Sequence, residues 1–257
     1  MGVLNVTPDS FSDGGLYLDP QRALERAQAM VGEGAAIIDV GGESTRPGAA
    51  PVAVEEELRR VLPVVRALAR ASPIVVSVDT SRPEVIERAV GEGAAMINDV
   101  RALQGRGALA AVARTGAAAC LMHMRGQPEN MQLAVRYEEV VSEVRGFLAA
   151  RLAACQEAGI EAMRLCVDPG FGFGKLAQHN LELLRNLGEL LELDRPVLVG
   201  LSRKSLLKTL TGRDSGERLA GSIALATAAA LNGATIIRAH DVAATVDALR
   251  VAAALKR

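Results

Sequence analysis

Polar and ionisable residues recur in this chain at one kind of place, at the end of a short aliphatic run. Asn5, Asp39, Asp79, Asn98, His123, Asp168, Ser202 with Lys204, and Arg238 with His240 all sit this way. A charged residue closing a buried apolar run is rarely there for packing. Asp79, Asn98 and Asp168 together offer several acceptors and one amide. That set suits a flat heterocycle with adjacent N–H donors. Lys204, Arg238, His240 and Arg46 suit an anion such as phosphate, and Arg238-Ala-His240 stands just before a helix start, which adds backbone N–H groups. Asn5 is a hard oxygen donor that could reach Mg2+ if a phosphate completed the coordination. Other readings stand beside these. Asp39 could cap its own loop or hold Arg46, His123 could be a solvated loop residue, and His179, at a helix start, reads as a surface group.

Some chemistry is excluded. Gly170-Phe-Gly-Phe-Gly174-Lys175 resembles a phosphate loop but lacks its spacing, and Leu176 stands where a Ser or Thr would reach the metal. It also fails the dinucleotide fingerprint. No Ser/His/Asp nucleophile pattern and no zinc helix occur. The polar residues point to positioning and electrostatics, without a covalent nucleophile.

The elements that must carry these residues repeat. Gly32–Val40 reads GEGAAIIDV, Gly91–Val100 reads GEGAAMINDV and Asn232–Ala239 reads NGATIIRA. In each, a helix ends at Gly, a small turn follows, and an aliphatic strand runs into a polar residue. The same grammar predicts eight strands: Gly2–Asn5, Ala36–Gly41, Ile74–Asp79, Met96–Val100, Ala118–Met122, Leu165–Asp168, Val197–Gly200 and Ile236–Ala239. Amphipathic segments at Pro20–Val31, Val54–Ala71, Tyr137–Ala158, Gly216–Leu231 and Val242–Lys256 predict helices between and after them. Strand–helix alternation gives an α/β protein with a parallel sheet. Eight repeats without a polar edge strand give a closed (β/α)8 TIM barrel, one domain over residues 1–257. Such barrels place their sites at the C-terminal strand ends, where the polar residues fall. The segments Thr7–Asp19 and Gly42–Val52 are too long for plain connections and read as binding loops.

Composition agrees. The 257 residues match a single barrel, and 29 Lys and Arg against 30 Asp and Glu leave a net charge of −1, which argues against nucleic acid. No run is apolar enough to span a membrane and no signal peptide opens the chain, so a cytoplasmic protein is expected. Cys120, Cys155 and Cys166 read as buried reduced thiols. Without Trp, and with two Tyr and four Phe, the core must be aliphatic.

The chain resembles the dihydropteroate synthase family along essentially its whole length. The resemblance rests on MGVLNVTPDSFSDGG (Met1–Gly15), IDVGGESTRPG (Ile38–Gly48), VSVDT (Val76–Thr80), INDV (Ile97–Val100), LMHMRG (Leu121–Gly126), VDPGFGFGK (Val167–Lys175), VGLSRK (Val199–Lys204) and RAHDV (Arg238–Val242). It implies a transferase of folate synthesis that joins 7,8-dihydropterin-6-ylmethyl diphosphate to 4-aminobenzoate, with Mg2+ as cofactor. By position, Asp79, Asn98, Asp168 and Lys204 would grip the pterin, with Met122 and Gly200 lining its pocket. Asn5, Arg238 and His240 would surround the diphosphate and metal. Thr45 and Arg46 would sit in the second loop, and Phe11, Pro47, Phe173, Ser202 and Lys204 around the aminobenzoate. The resemblance also implies a homodimer, and the apolar last two helices are the expected interface. Asp39 and His123 then become secondary.

The aromatic amine is a poor nucleophile, so the reaction is expected to be dissociative. Diphosphate leaves first and Asp79 and Asp168 stabilise the pterin cation. Two alternatives are a methyltetrahydrofolate-binding methyltransferase barrel and a non-catalytic pterin-binding paralogue. Ser44–Gly48, Ser202-Arg-Lys204 and Arg238-Ala-His240 argue against both. Strand 1 opens at residue 1, where family members commonly carry a short extension. The barrel bottom is therefore expected to be less covered, or the native chain to start at another codon.

Overall fold

The structure, a computed structural model, describes residues 1–7, 20–44, 51–126, 131 and 135–255. Strands and helices alternate: β1 (Gly2–Asn5), α1 (Pro20–Gly32), β2 (Ile37–Gly41), α2 (Val54–Ala71), β3 (Val75–Asp79), α3 (Pro83–Gly91), β4 (Met96–Asp99), α4 (Ala108–Thr115), β5 (Ala118–Met122), α5 (Val140–Glu157), β6 (Leu165–Asp168), α6 (Ala177–Arg185), β7 (Leu198–Val199), α7 (Ser205–Thr211), α8 (Leu219–Leu231), β8 (Ile236–Ile237) and α9 (Val242–Leu255). All strand pairs are parallel. Strands β1 to β6 form one arc and β7 with β8 a second. The arcs meet through a bridge between Val167 and Val197 and another between Gly2 and Ala239. The second seam is reinforced by Val3 N–H to Ala239 C=O at 3.1 Å and Ala239 N–H to Met1 C=O at 2.9 Å. The sheet therefore closes into the expected barrel. None of the helices is long and apolar enough to cross a membrane, among the described residues.

The repeated turn has a backbone cause. Gly34, Gly93 and Gly233 hold φ of 99°, 111° and 109°. The demanding glycine is thus the second of each GEG, and Gly233 after Asn232 in the third repeat, each two residues past the helix end. A Cβ on Gly93 would stand 2.5 Å from the Ala69 Cβ, so neither the angle nor the space admits another residue.

Strand side chains divide by face. Leu4, Ile38, Val40, Val76, Val78, Ile97, Leu121, Val167 and Val199 point outward into one continuous shell with the helices. Met96, Cys120, Cys166 and Leu198 form a separate small cluster inside the barrel, joined by Met1, Ala118 and Ile236. Residues two positions further along the same strands, Asn98, Met122, Asp168 and Gly200, stand above that floor. The strands are therefore not aliphatic on both faces. Asp39 and Ser77, both fully buried, lie within β2 and β3 and point inward. The three cysteines are free and buried, as expected.

Candidate active site

Asp39 organises the polar layer. Its carboxylate accepts Ser77 Oγ–H at 2.6 Å, Asn98 Nδ2–H at 3.0 Å and Arg238 Nε–H at 2.7 Å. It lies inside the barrel, with no loop to cap, and its cationic partner is Arg238. The alternative of a loop cap is replaced by a buried acceptor that holds Ser77, Asn98 and Arg238. Arg238 also donates from Nη2 to Asp79 at 3.1 Å. Much of its guanidinium edge is thus committed to carboxylates. Burial lowers its proton affinity, but the Asp39 and Asp79 charges outweigh that and raise it, so Arg238 stays cationic.

Burial pushes the Asp79 carboxyl up to about 7, against the pull of Arg238. It raises Asp168 too, against Lys204 and the Gly170 N–H that Asp168 Oδ1 accepts at 2.7 Å. Burial brings Lys204 down to about 8, with Asp168 opposing the shift. Asp79 and Lys204 thus sit near neutrality, the condition in which small changes of neighbouring charge move protons.

Among the described residues the cations hold different partners, though Arg238 lies near enough to Lys204 to lower its proton affinity. Lys204 extends from the end of the β7 turn to donate to the Phe171 carbonyl, and its Nζ lies 4.4 Å from the centre of the Phe173 ring. His240 Nδ1 lies 3.0 Å from Ser202 Oγ, which also accepts the His240 N–H at 3.2 Å. Arg203 joins Asp241 through both carboxylate oxygens, at 2.6 and 3.1 Å, and so ties the turn after β7 to the turn after β8. Gly200 faces Arg238, where an added Cβ would make only ordinary contacts at 3.8 Å. Packing alone does not require a glycine there.

His123 is buried and not solvated, which corrects that expectation. Its ring packs edge-on to Phe147 at 4.9 Å, and burial with the nearby Lys175 lowers its pKa to about 3. His179 is buried too; its Nδ1 accepts the Leu176 N–H at 3.2 Å and caps α6. The glycine-rich segment is a turn packed under the site. Gly170, Gly172 and Gly174 have φ of 67°, 80° and 59°. A Cβ on Gly170 would lie 1.9 Å from the His123 carbonyl oxygen. A cavity of about 130 Å³ lies behind Met122, lined also by Val100, Met124 and Phe147, and sits beside the polar layer rather than over it.

Phe11, Thr45, Arg46 and Pro47 lie outside the described residues. Both stems of the second loop are described, and they are pinned. Arg82 bonds Glu43 at 3.2 Å, pairs with Glu57 at 3.1 Å and donates to the Val52 carbonyl, while Arg60 donates to the Gly42 carbonyl at 3.0 Å. Sequence reasoning missed this anchor, because a buried Glu57 on α2 reads there as one more charge of the helix's first turn.

The family model for pterin binding enzymes matches residues 1–240. The dihydropteroate synthase of Escherichia coli is 53% identical over 251 residues, covering 98% of this chain and 89% of the relative. The chain belongs to the dihydropteroate synthases. A Yersinia pestis synthase in complex with a sulfonamide drug superposes with a TM-score of 0.98 at 50% identity, over 100% of this chain and 93% of that one. A Xanthomonas albilineans synthase in complex with 7,8-dihydropteroate gives 0.89 at 48% identity, over 100% and 92%.

Proposed function

We propose that this chain joins 7,8-dihydropterin-6-ylmethyl diphosphate to 4-aminobenzoate, forming 7,8-dihydropteroate and releasing diphosphate, as a transferase of folate biosynthesis. The observation that carries this is the inward layer of Asp79, Asn98 and Asp168 beside Lys204 and Arg238, in a chain alike over its full length to a synthase holding 7,8-dihydropteroate. Asp79, Asn98 and Asp168 bind the pterin edge, with Met122 and Gly200 as walls. Phe173, Ser202 and Lys204, with Phe11 and Pro47, receive the amine. Arg238, His240, Thr45 and Arg46 border the diphosphate.

The arylamine is a weak nucleophile, so the electrophile must be made reactive. As the carbon–oxygen bond breaks, positive charge develops on the pterin methylene. Asp79 and Asp168, preoriented by Arg238 and the Gly170 N–H, lie where that charge is stabilised without reorganisation.

Among the described residues no three acidic, imidazole or thiol groups gather for a metal. Asn5 Oδ1 does lie next to Asp79, both within 4 Å of a Cβ built on Gly41. One amide oxygen beside a carboxylate suits Mg2+ that arrives with phosphate oxygens and keeps its waters. Bound there, Mg2+ would neutralise charge on the diphosphate. We place the enzyme in the cytoplasm, where its three free thiols stay reduced. It acts as a homodimer through α8 and α9, where Leu219, Leu231, Val251 and Leu255 are exposed.

The test is incubation with both substrates and Mg2+, following diphosphate release and dihydropteroate. Lys204→Ala should weaken both substrates. Failure to release diphosphate sinks the proposal.

A further inference from the structure

Lys175 is 3% exposed, and the reaction above does not use it. Its ammonium meets four acceptors: His123 Nδ1 at 2.9 Å, the His123 carbonyl at 3.3 Å, the Gly170 carbonyl at 3.0 Å and the Phe173 carbonyl at 3.1 Å. Its three donors are therefore all engaged. With Lys175 charged, Nδ1 is the acceptor of that short contact and the His123 proton sits on Nε2. Three carbonyl dipoles from two different turns point at one place. Without a cation between them they would repel, and each would be left buried and unsatisfied.

The segment so held carries the amine half of the site. Phe171 gives its carbonyl to Lys204, and the Phe173 ring lies under the Lys204 ammonium. Between them, Gly172 N–H is held by Asn180 Oδ1 at 2.7 Å, and a Cβ on Gly172 would press the Lys204 side chain at 3.1 Å. The aliphatic stem of Lys204 thus runs along residues 171–173. Lys175 grips the same segment from the opposite side, at Gly170 and Phe173. Of the residues proposed to bind the pterin edge, Asp168 alone meets this turn, through the Gly170 N–H, whereas Asp79 and Asn98 are held by Arg238 and Asp39.

We propose that Lys175 is a positioning residue for the 4-aminobenzoate pocket, its ammonium fixing the backbone that presents Phe173 and receives Lys204. This rests on the assignment of Phe173 and Lys204 to the amine in the function proposed above. It turns what looked like a failed phosphate motif into a backbone-binding lysine.

The test is Lys175→Met, which keeps the length of the side chain and removes the charge. KM for 4-aminobenzoate is measured at saturating pterin diphosphate, and Kd for pterin diphosphate by calorimetry. Displacing the Phe173 segment should raise the first on the order of tenfold or more. The second should rise by a much smaller factor, since the pterin meets this turn only through Lys204 and Asp168 while Asp79 and Asn98 keep their hold. Val112→Ala, a buried substitution on α4 in the outer shell, reports what destabilisation alone does and should move neither. If Lys175→Met does not fold, Lys175→Gln keeps part of the donor set and carries the same comparison. Equal weakening of both substrates, or an unchanged KM, overturns the proposal. Absence of turnover by the unsubstituted protein overturns the functional reading instead, and the assignment with it.

Discussion

Asp79 works at neutral pH in a state that its surroundings resist. Its folded pKa is raised to about 7 from an ordinary 3.8. A carboxyl shifted upward stabilises the fold fully below its unfolded pKa, and that contribution is lost as pH rises through the folded value. The loss therefore falls between about pH 4 and 7. Asp79→Asn removes the penalty and the ligand contact together. At pH 8 the variant should melt higher than the parent, by roughly 2–4 °C for each kcal/mol gained. The difference should shrink as pH falls toward 4, and pterin binding should be lost throughout. Melting curves across pH check the sign; a variant less stable at pH 8 contradicts it. Gly200 gives the complementary case. An added methyl meets only Arg238 at ordinary distance, so Gly200→Ala should fold like the parent while weakening pterin binding. Calorimetry beside a melting curve separates the two effects.

Among elements, β1, β5 and β6 appear in the sequence with the bounds the structure gives them. β7 and β8 pair with each other over only two residues each, while Val197 and Ala239 reach the larger arc through isolated bridges. The predicted strands overran into those bridging residues. The polar strand ends were legible because aliphatic runs stop abruptly there. Asp39 and Ser77 were harder to place, since a run such as IIDVG does not tell which face is inside the barrel. Lys175 was set aside because it was compared with a phosphate motif. The glycines at 170, 172 and 174, which need positive φ, were the signal of a tight turn. That turn predicts its own fragility. Gly170→Ala forces a side chain into both a left-handed φ and the His123 carbonyl, so it should destabilise by about 3 kcal/mol or more. Urea unfolding measures it, and a cost below 1 kcal/mol would contradict the packing described.

For the whole molecule, the apolar content of α8 and α9 exceeds what the barrel buries. Leu219 and Leu231 on α8 are 47% and 42% exposed, and Val251 and Leu255 on α9 are 61% and 72% exposed. Isolated exposed leucines need no explanation, but four such residues on two helices packed against each other support the proposed dimer contact. Leu219→Glu with Val251→Glu should therefore shift the protein toward a monomer in light scattering, with the barrel intact by circular dichroism. An unchanged mass would move the interface elsewhere.

The barrel's two seams have a consequence for how it responds to its substrates. Six staves form one arc and two form another, each joint between them resting on few backbone bonds. Asp79, Asn98 and Asp168 belong to the larger arc, whereas Gly200, Lys204, Arg238 and His240 belong to the smaller. In the free protein, Arg238 is already a clasp across the gap, reaching Asp39 and Asp79. A pterin gripped from both arcs would be a second clasp. The amides of Val3 and Ala239 at the seam should then exchange with deuterium faster than those of β2 to β4, and slow when pterin is bound. The substrate would be, for as long as it stays, a hoop on the cask.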